Sequence, residues 1–116
     1  MKKLLLATAL VAVSMLLVLQ AIPARASDQQ QTRSLQGQVM NDADAPIPTA
    51  IVYLKNTKTL AVKTFIADKE GIYRFNALSP NVDYEVYAEK EGKKSDTKTL
   101  SSFDSRKQAT INLKIK

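Results

Sequence analysis

Cysteine and histidine are both absent from the 116-residue chain. Without cysteine there is no disulfide framework, no thiol nucleophile, and no acylated cysteine of the bacterial lipoprotein kind. Without an imidazole, a Ser/His/Asp or Cys/His nucleophile system cannot be assembled. Neither residue is present to supply a metal staple, so apolar packing must carry the fold. Charge of one sign is also in short supply. The formal net charge is +6, but Lys2, Lys3 and Arg25 lie in a segment expected to be removed, which leaves 14 basic residues against 11 acidic, or +3. The densest basic cluster, Lys90, Lys93, Lys94 and Lys98, is interrupted by Glu89, Glu91 and Asp96. A nucleic-acid binder concentrates its charge on one face, so this mixed pattern predicts a solvated surface and no nucleic-acid partner.

The one long apolar run is at the start. Lys2 and Lys3 precede the stretch LLLATALVAVSMLLVL from Leu4 to Leu19, and Pro23 precedes Ala24-Arg25-Ala26, a small-x-small cleavage site. Positive start, apolar middle and Ala-x-Ala in that order predict a secretory signal peptide over residues 1–26. A membrane span needs about 20 apolar residues, more than this run supplies, so the mature chain is expected not to span a membrane. The Lys-Lys start suggests a bacterial source, with the periplasm or the cell exterior as destination. Residues 27–33 carry no apolar side chain and are expected to be a disordered lead-in. The remaining length, 34–116, allows one domain.

From Leu35 onward the pattern alternates with period two between clusters of turn formers, and no useful helical stripe appears. Leu35, Gly37 and Val39 share a face. The segment Asn41 to Pro46 is a turn, and Pro46 and Pro48 bar a central strand there. Ala50, Val52 and Leu54 point one way and Ile51, Tyr53 and Lys55 the other. Leu60 to Ala67 is apolar on both faces, so its inward side stays open. Asp68-Lys69-Glu70-Gly71 is a tight turn in which Gly71 takes positive φ cheaply, and Tyr73 and Phe75 then share a face. Leu78 to Asn81 closes that strand, and Tyr84, Val86 and Ala88 face inward on the next. Thr97 to Leu100 reads as a weaker strand. The last strand alternates most cleanly, with Ile111, Leu113 and Ile115 on one side. Short strands at roughly ten-residue spacing predict two packed sheets, an all-β, seven-stranded antiparallel β-sandwich.

The ordered set Gly37-x-Val39, Asp42, Pro46-Ile47, Ala50-x-Val52-x-Leu54, Asp68-x-x-Gly71-x-Tyr73-x-Phe75-x-x-Leu78-x-Pro80 and Tyr84-x-Val86 resembles the carboxypeptidase regulatory-like domain over about residues 34–116. The resemblance implies a transthyretin-like (prealbumin-like) sandwich in which these positions are structural. Two departures are visible: Ala67 stands where the family often has Thr, and Ala43 to Pro48 lacks a frequent Gly. Catalytic relatives of this sandwich fit poorly. The resemblance to hydroxyisourate hydrolases or intradiol dioxygenases would require histidines, and the zinc chemistry of the carboxypeptidases resides in a separate domain. The Lys–Asn isopeptide bond of pilin- and adhesin-type relatives would require an inward Lys on the first strand. Leu35 to Met40 contains none, and Asn112 alternates away from Ile111 and Leu113.

No catalytic, cofactor or metal residue is therefore expected. Asp42 with Asp44, or Asp68 with Glu70, offers too few oxygens for calcium, and turn chemistry accounts for both pairs. The expected role is a non-catalytic binding or structural module acting on a protein or a cell-envelope polymer. The alternative is weak carbohydrate binding through outward Tyr53 and Tyr87, a pair that cross-strand packing explains equally well. Phe103, in a polar loop, is a further aromatic of open burial.

Overall fold

The computed structural model describes residues 31–116. The expected signal segment 1–26 and residues 27–30 of the lead-in lie outside the described residues. Nine strand segments follow in order: β1 Arg33–Met40, β2 Ile51–Asn56, β3 Val62–Ile66, β4 Ile72–Leu78, β5 Tyr84–Lys90, β6 Lys93–Lys94, β7 Lys98–Leu100, β8 Gln108–Thr110 and β9 Leu113–Lys114. No helix occurs among the described residues.

The segments form two sheets. In one, β1 lies between β4 and the pair β8 and β9, which line its other edge in succession. In the other, the order is β3-β2-β5, with β6 and β7 in succession along the free side of β5. Two interrupted edge strands thus bring nine segments into seven strand positions, and the chain is an all-β sandwich. The pairing is antiparallel except along β1, where β8 and β9 run parallel. They arrive from the second sheet through the loop after β7, and the crossing reverses the hairpin sense. A bridge between Ser95 and Ile115 ties the two sheets at one corner.

The core is what the alternation predicts. Leu35 and Val39, then Ala50, Val52 and Leu54, Tyr73 and Phe75, and Tyr84, Val86 and Ala88 are all buried between the sheets. Each larger side chain contributes about 1.5–3 kcal/mol by leaving water. Leu78 joins them through a β-bulge. The β1–β4 register passes from Leu35↔Phe75 to Arg33↔Leu78, three residues on β4 against two on β1. Ala77 there takes φ 59°. The extra residue restores Leu78 to the inner face, which strict period two would have turned outward. Pro80 is half-buried beside it.

Two expectations need correction, and one question left open is answered. The lead-in does not extend to residue 33: Arg33 opens β1 and is 4% exposed. The last strand is not continuous: it begins at Gln108 with buried Ala109, and breaks at Ile111 and Asn112. The doubly apolar segment after Leu60 has no buried face, since all five residues of β3 are exposed and burial resumes only at Ala67. Among the described residues, strand β3 pairs with β2 on one side only and forms the margin of its sheet.

Candidate functional site

The outer face of the β3-β2-β5 sheet is built in rows by strand register. The central row is Thr64, Tyr53 and Tyr87; beside it run Val62, Lys55 and Glu85, and on the other flank Ile66, Ile51 and Glu89. Tyr53 and Tyr87, directly opposite across β2 and β5, stack with ring centroids 4.9 Å apart and planes 17° from parallel. Lys94, on the far side of β5, places its Nζ 5.5 Å from the Tyr87 ring centroid. The Tyr53 hydroxyl donates to Glu89 Oε1 at 3.2 Å. Partial desolvation, then the Glu89 carboxylate, raises the Tyr53 hydroxyl above its ordinary value. A shallow depression of about 430 Å³ opens beside the stack, lined by Tyr53, Lys55, Leu60, Val62, Glu85, Tyr87 and Thr97.

Alternation therefore placed both tyrosines on the correct face, and the fold brings them together. Each is half-buried against the other. The stack uses one ring face of each tyrosine, and Lys94 lies over the second face of Tyr87. Left uncovered by these contacts are the second face of Tyr53, the ring edges and hydroxyls, and the neighbouring aliphatic surface. Sequence reasoning missed that surface: Leu60 is 63% and Ile66 65% exposed, with Val62 and Ile51 beside them. The missed signal was the lack of a polar face in Leu60 to Ala67, which marks a margin strand with apolar groups left in water.

Of the acidic residues at the turns, Asp68 acts as a turn former and Asp44 as an ion-pair partner. Asp68 Oδ1 accepts from the backbone N–H of Glu70 at 2.8 Å and of Ile72 at 2.9 Å. Asn41 Oδ1 caps its own turn in the same way through Ala43 and Ala45, and Asp44 pairs with Lys114 at 2.8 Å. Among the described residues no three His, Cys, Asp or Glu side chains gather as a metal site would require.

At one end of the sandwich Arg33 acts as a clamp. Its guanidinium donates to the carbonyls of Ser79 at 3.2 Å, Val82 at 2.7 Å, Ser101 at 2.7 Å and Asp104 at 3.2 Å. Five donors in a rigid fork suit such a set of fixed carbonyls. The loop it holds carries Phe103, 95% exposed. There the Arg106 guanidinium, hydrogen-bonded to the Asp104 carboxylate, lowers that carboxyl to about 2.

With this geometry in hand the comparisons are specific. The family model of the carboxypeptidase regulatory-like domain matches residues 34–116. The chain belongs to that family. No curated protein sequence matches it. Among solved structures, this regulatory-like domain is similar to BcpA, the major pilin subunit of Bacillus cereus, with 13% identity and a TM-score of 0.57, over 73% of this chain and 30% of the pilin. It is also similar to S.CueP, with 14% identity and a TM-score of 0.54, over 76% of this chain and 65% of that one. The regulatory-like domain thus spans about a third of the pilin and just under two thirds of S.CueP, and at these identities the likeness is one of fold.

Several motif positions of the regulatory-like domain meet around β1. Gly37 sits under the Tyr73 ring: a Cβ there would lie 1.8 Å from the Ile111 carbonyl oxygen and 2.8 Å from the ring. That close approach lets the Tyr73 hydroxyl donate to the Ile111 carbonyl at 2.6 Å. Burial pushes the same hydroxyl far above its ordinary value. Asn112 completes the break between β8 and β9 by accepting the Gln38 N–H at 3.0 Å. Gly71, at φ 75°, gives its carbonyl to the Val39 N–H at 2.8 Å. These contacts shape the sandwich and leave the outer face to act.

Proposed function

We propose that this regulatory-like domain is an exported, non-catalytic contact module, active in the periplasm or outside a bacterial cell. It meets a protein or an envelope polymer with the outer face of the β3-β2-β5 sheet. The observation that carries this reading is the aliphatic margin of that face, where Leu60, Val62 and Ile66 stand in water beside a fixed tyrosine stack. Exposed apolar side chains grouped along one strand margin in this way mark contact sites. Family membership supports a module of this type, and the secretion pattern of residues 1–26 supports export.

Weak carbohydrate binding is the second reading. The depression favours it, because Lys55, Glu85 and Thr97 set polar groups beside the two rings. Against it stands the stacking of the rings on each other, which withdraws one flat face of each, and Lys94, which covers the second face of Tyr87.

Site-specific photo-crosslinking in the exporting cell tests the contact reading. Reporters at Lys55 and Ile66 should form discrete adducts, while one at Arg74 on the opposite sheet should not. Equal labelling from all three positions, or substrate turnover by the purified protein, overturns it. Glycan binding lost in a Tyr53→Ala, Tyr87→Ala variant would replace it with the second reading.

A further inference from the structure

Strand β3 carries its own partner in its sequence. Two backbone hydrogen bonds set its parity: the Ala67 N–H donates to the Ala50 carbonyl, and the Ala61 carbonyl accepts from the Asn56 N–H. Odd-numbered residues of β3 therefore bond to β2. Val62, Thr64 and Ile66 direct their N–H and C=O groups away from it, toward the open margin. A second strand can be added only in a register that uses those three residues.

Most strands are barred from this position. Lys63 lies across from Leu54 and Phe65 across from Val52, both of which face the core, so Lys63 points inward from a margin strand. An inward lysine at a sheet margin guards against indiscriminate pairing. The guard admits one strand readily, its own copy. Placed antiparallel about a twofold axis at Thr64, the second copy sets Val62 against Ile66, Thr64 against Thr64, and Lys63 against Phe65. All three outward residues then form hydrogen-bonded pairs, six backbone bonds in total. Each Lys63 ammonium meets an aromatic ring instead of a like charge. On the outer face the Val62 and Ile66 side chains of the two copies close over one another. The same register brings the turn carrying Lys58 toward the Asp68-Lys69-Glu70 turn of the other copy, whose net charge is negative, with Glu70 as the facing acid.

We infer that two copies of this chain join through β3, making one continuous sheet across a twofold axis. This deepens the contact reading by naming a second copy as a partner. The two fail separately, since a strictly monomeric chain that still gives discrete adducts from Lys55 would leave the contact module intact and remove only the self-pairing.

The absence of native cysteine makes the test direct. Hydrogen-bonded antiparallel pairs hold their Cα atoms about 5.5 Å apart, within disulfide reach. Under mild oxidation the exported Thr64→Cys chain should link to itself. Val62→Cys and Ile66→Cys should each stay unlinked alone and should link when mixed. Sedimentation of the unmodified chain should show a monomer–dimer equilibrium, and Thr64→Pro should weaken it about tenfold or more. That substitution removes an N–H the β2 ladder does not use, so the circular dichroism of the monomer should be unchanged. A monomer at all concentrations overturns the inference. So does linkage of Val62→Cys to itself as fast as Thr64→Cys, or linkage of Thr64→Cys to a different protein only.

Discussion

Strand β1 is poor in strand-forming residues and β3 is rich in them, yet β1 is paired along both edges and β3 along one, with only Phe65 reaching across to Phe75 edge-on. β1 lies between β4 and the β8–β9 pair, with Leu35, Gly37 and Val39 turned into a close-packed interior. It is polar by composition, RSLQGQVM, and still becomes the centre of its sheet. β3, VKTFI, is far more apolar and is exposed at every residue. The strand that looks most like core is not core. Apolar content measures what burial would contribute, whereas position in the sheet order decides whether burial happens. An apolar strand left at the margin is surface available for contact.

The contrast makes mutation effects unequal. Gly37→Val should have the largest, because its Cβ would meet a backbone carbonyl and the Tyr73 ring, neither of which can swing away. A loss of at least about 4 kcal/mol in urea denaturation is expected, close to the stability of a domain this size. Arg33→Met comes next. It leaves the carbonyls of Ser79, Val82, Ser101 and Asp104 without their donor, for a loss of about 2–3 kcal/mol and faster hydrogen exchange in both loops. Tyr73→Phe removes one buried hydroxyl contact and should cost about 1–2 kcal/mol at nearly unchanged packing. Measured in the same way at a concentration low enough for the chain to be monomeric, Val62→Thr and Ile66→Thr on β3 should stay within about 0.5 kcal/mol of the unmodified chain. A loss at β3 as large as at Tyr73 would erase the distinction between the two strands.

The smallest effect concerns pH. The Asp104 carboxyl titrates at about 2 when folded, below its value in the unfolded chain. A depressed folded value means the Arg106 contact helps at neutral pH and is lost as pH falls from about 4 toward 2. Carboxyl chemical shifts followed by NMR should show Asp104 protonating well below the ordinary aspartate range. Asp104→Asn should remove that step while leaving β1 and β3 undisturbed.

Much of this was legible in the order of residues. Val52, Leu54, Val86 and Ala88 declared their inner face through period two, and Tyr53 and Tyr87 their outer face by the same rule. The Asp68–Gly71 turn was readable because an Asx acceptor followed by a positive-φ glycine has few other uses. Arg33 was not readable, because a lone arginine in a polar stretch looks solvated. Only the convergence of carbonyls from two distant loops makes its burial favourable. The bulge at Ala77 was hidden for a similar reason: nothing in Asn76-Ala77 announces a positive φ, which the need to return Leu78 to the core imposes. The margin position of β3 was equally hidden, since alternation cannot report which strand has a neighbour.

By itself the sequence determined the class of the molecule. Period two and turn chemistry act over a few residues, and so does the absence of thiol and imidazole, which removes whole reaction types wherever the chain goes. Tertiary structure alone decided which strand is central and which is marginal. It also set the clamp Arg33 makes, and it broke the last strand where Tyr73 reaches Ile111. Those outcomes depend on groups dozens of residues apart arriving within hydrogen-bond distance, and no local pattern encodes such a meeting.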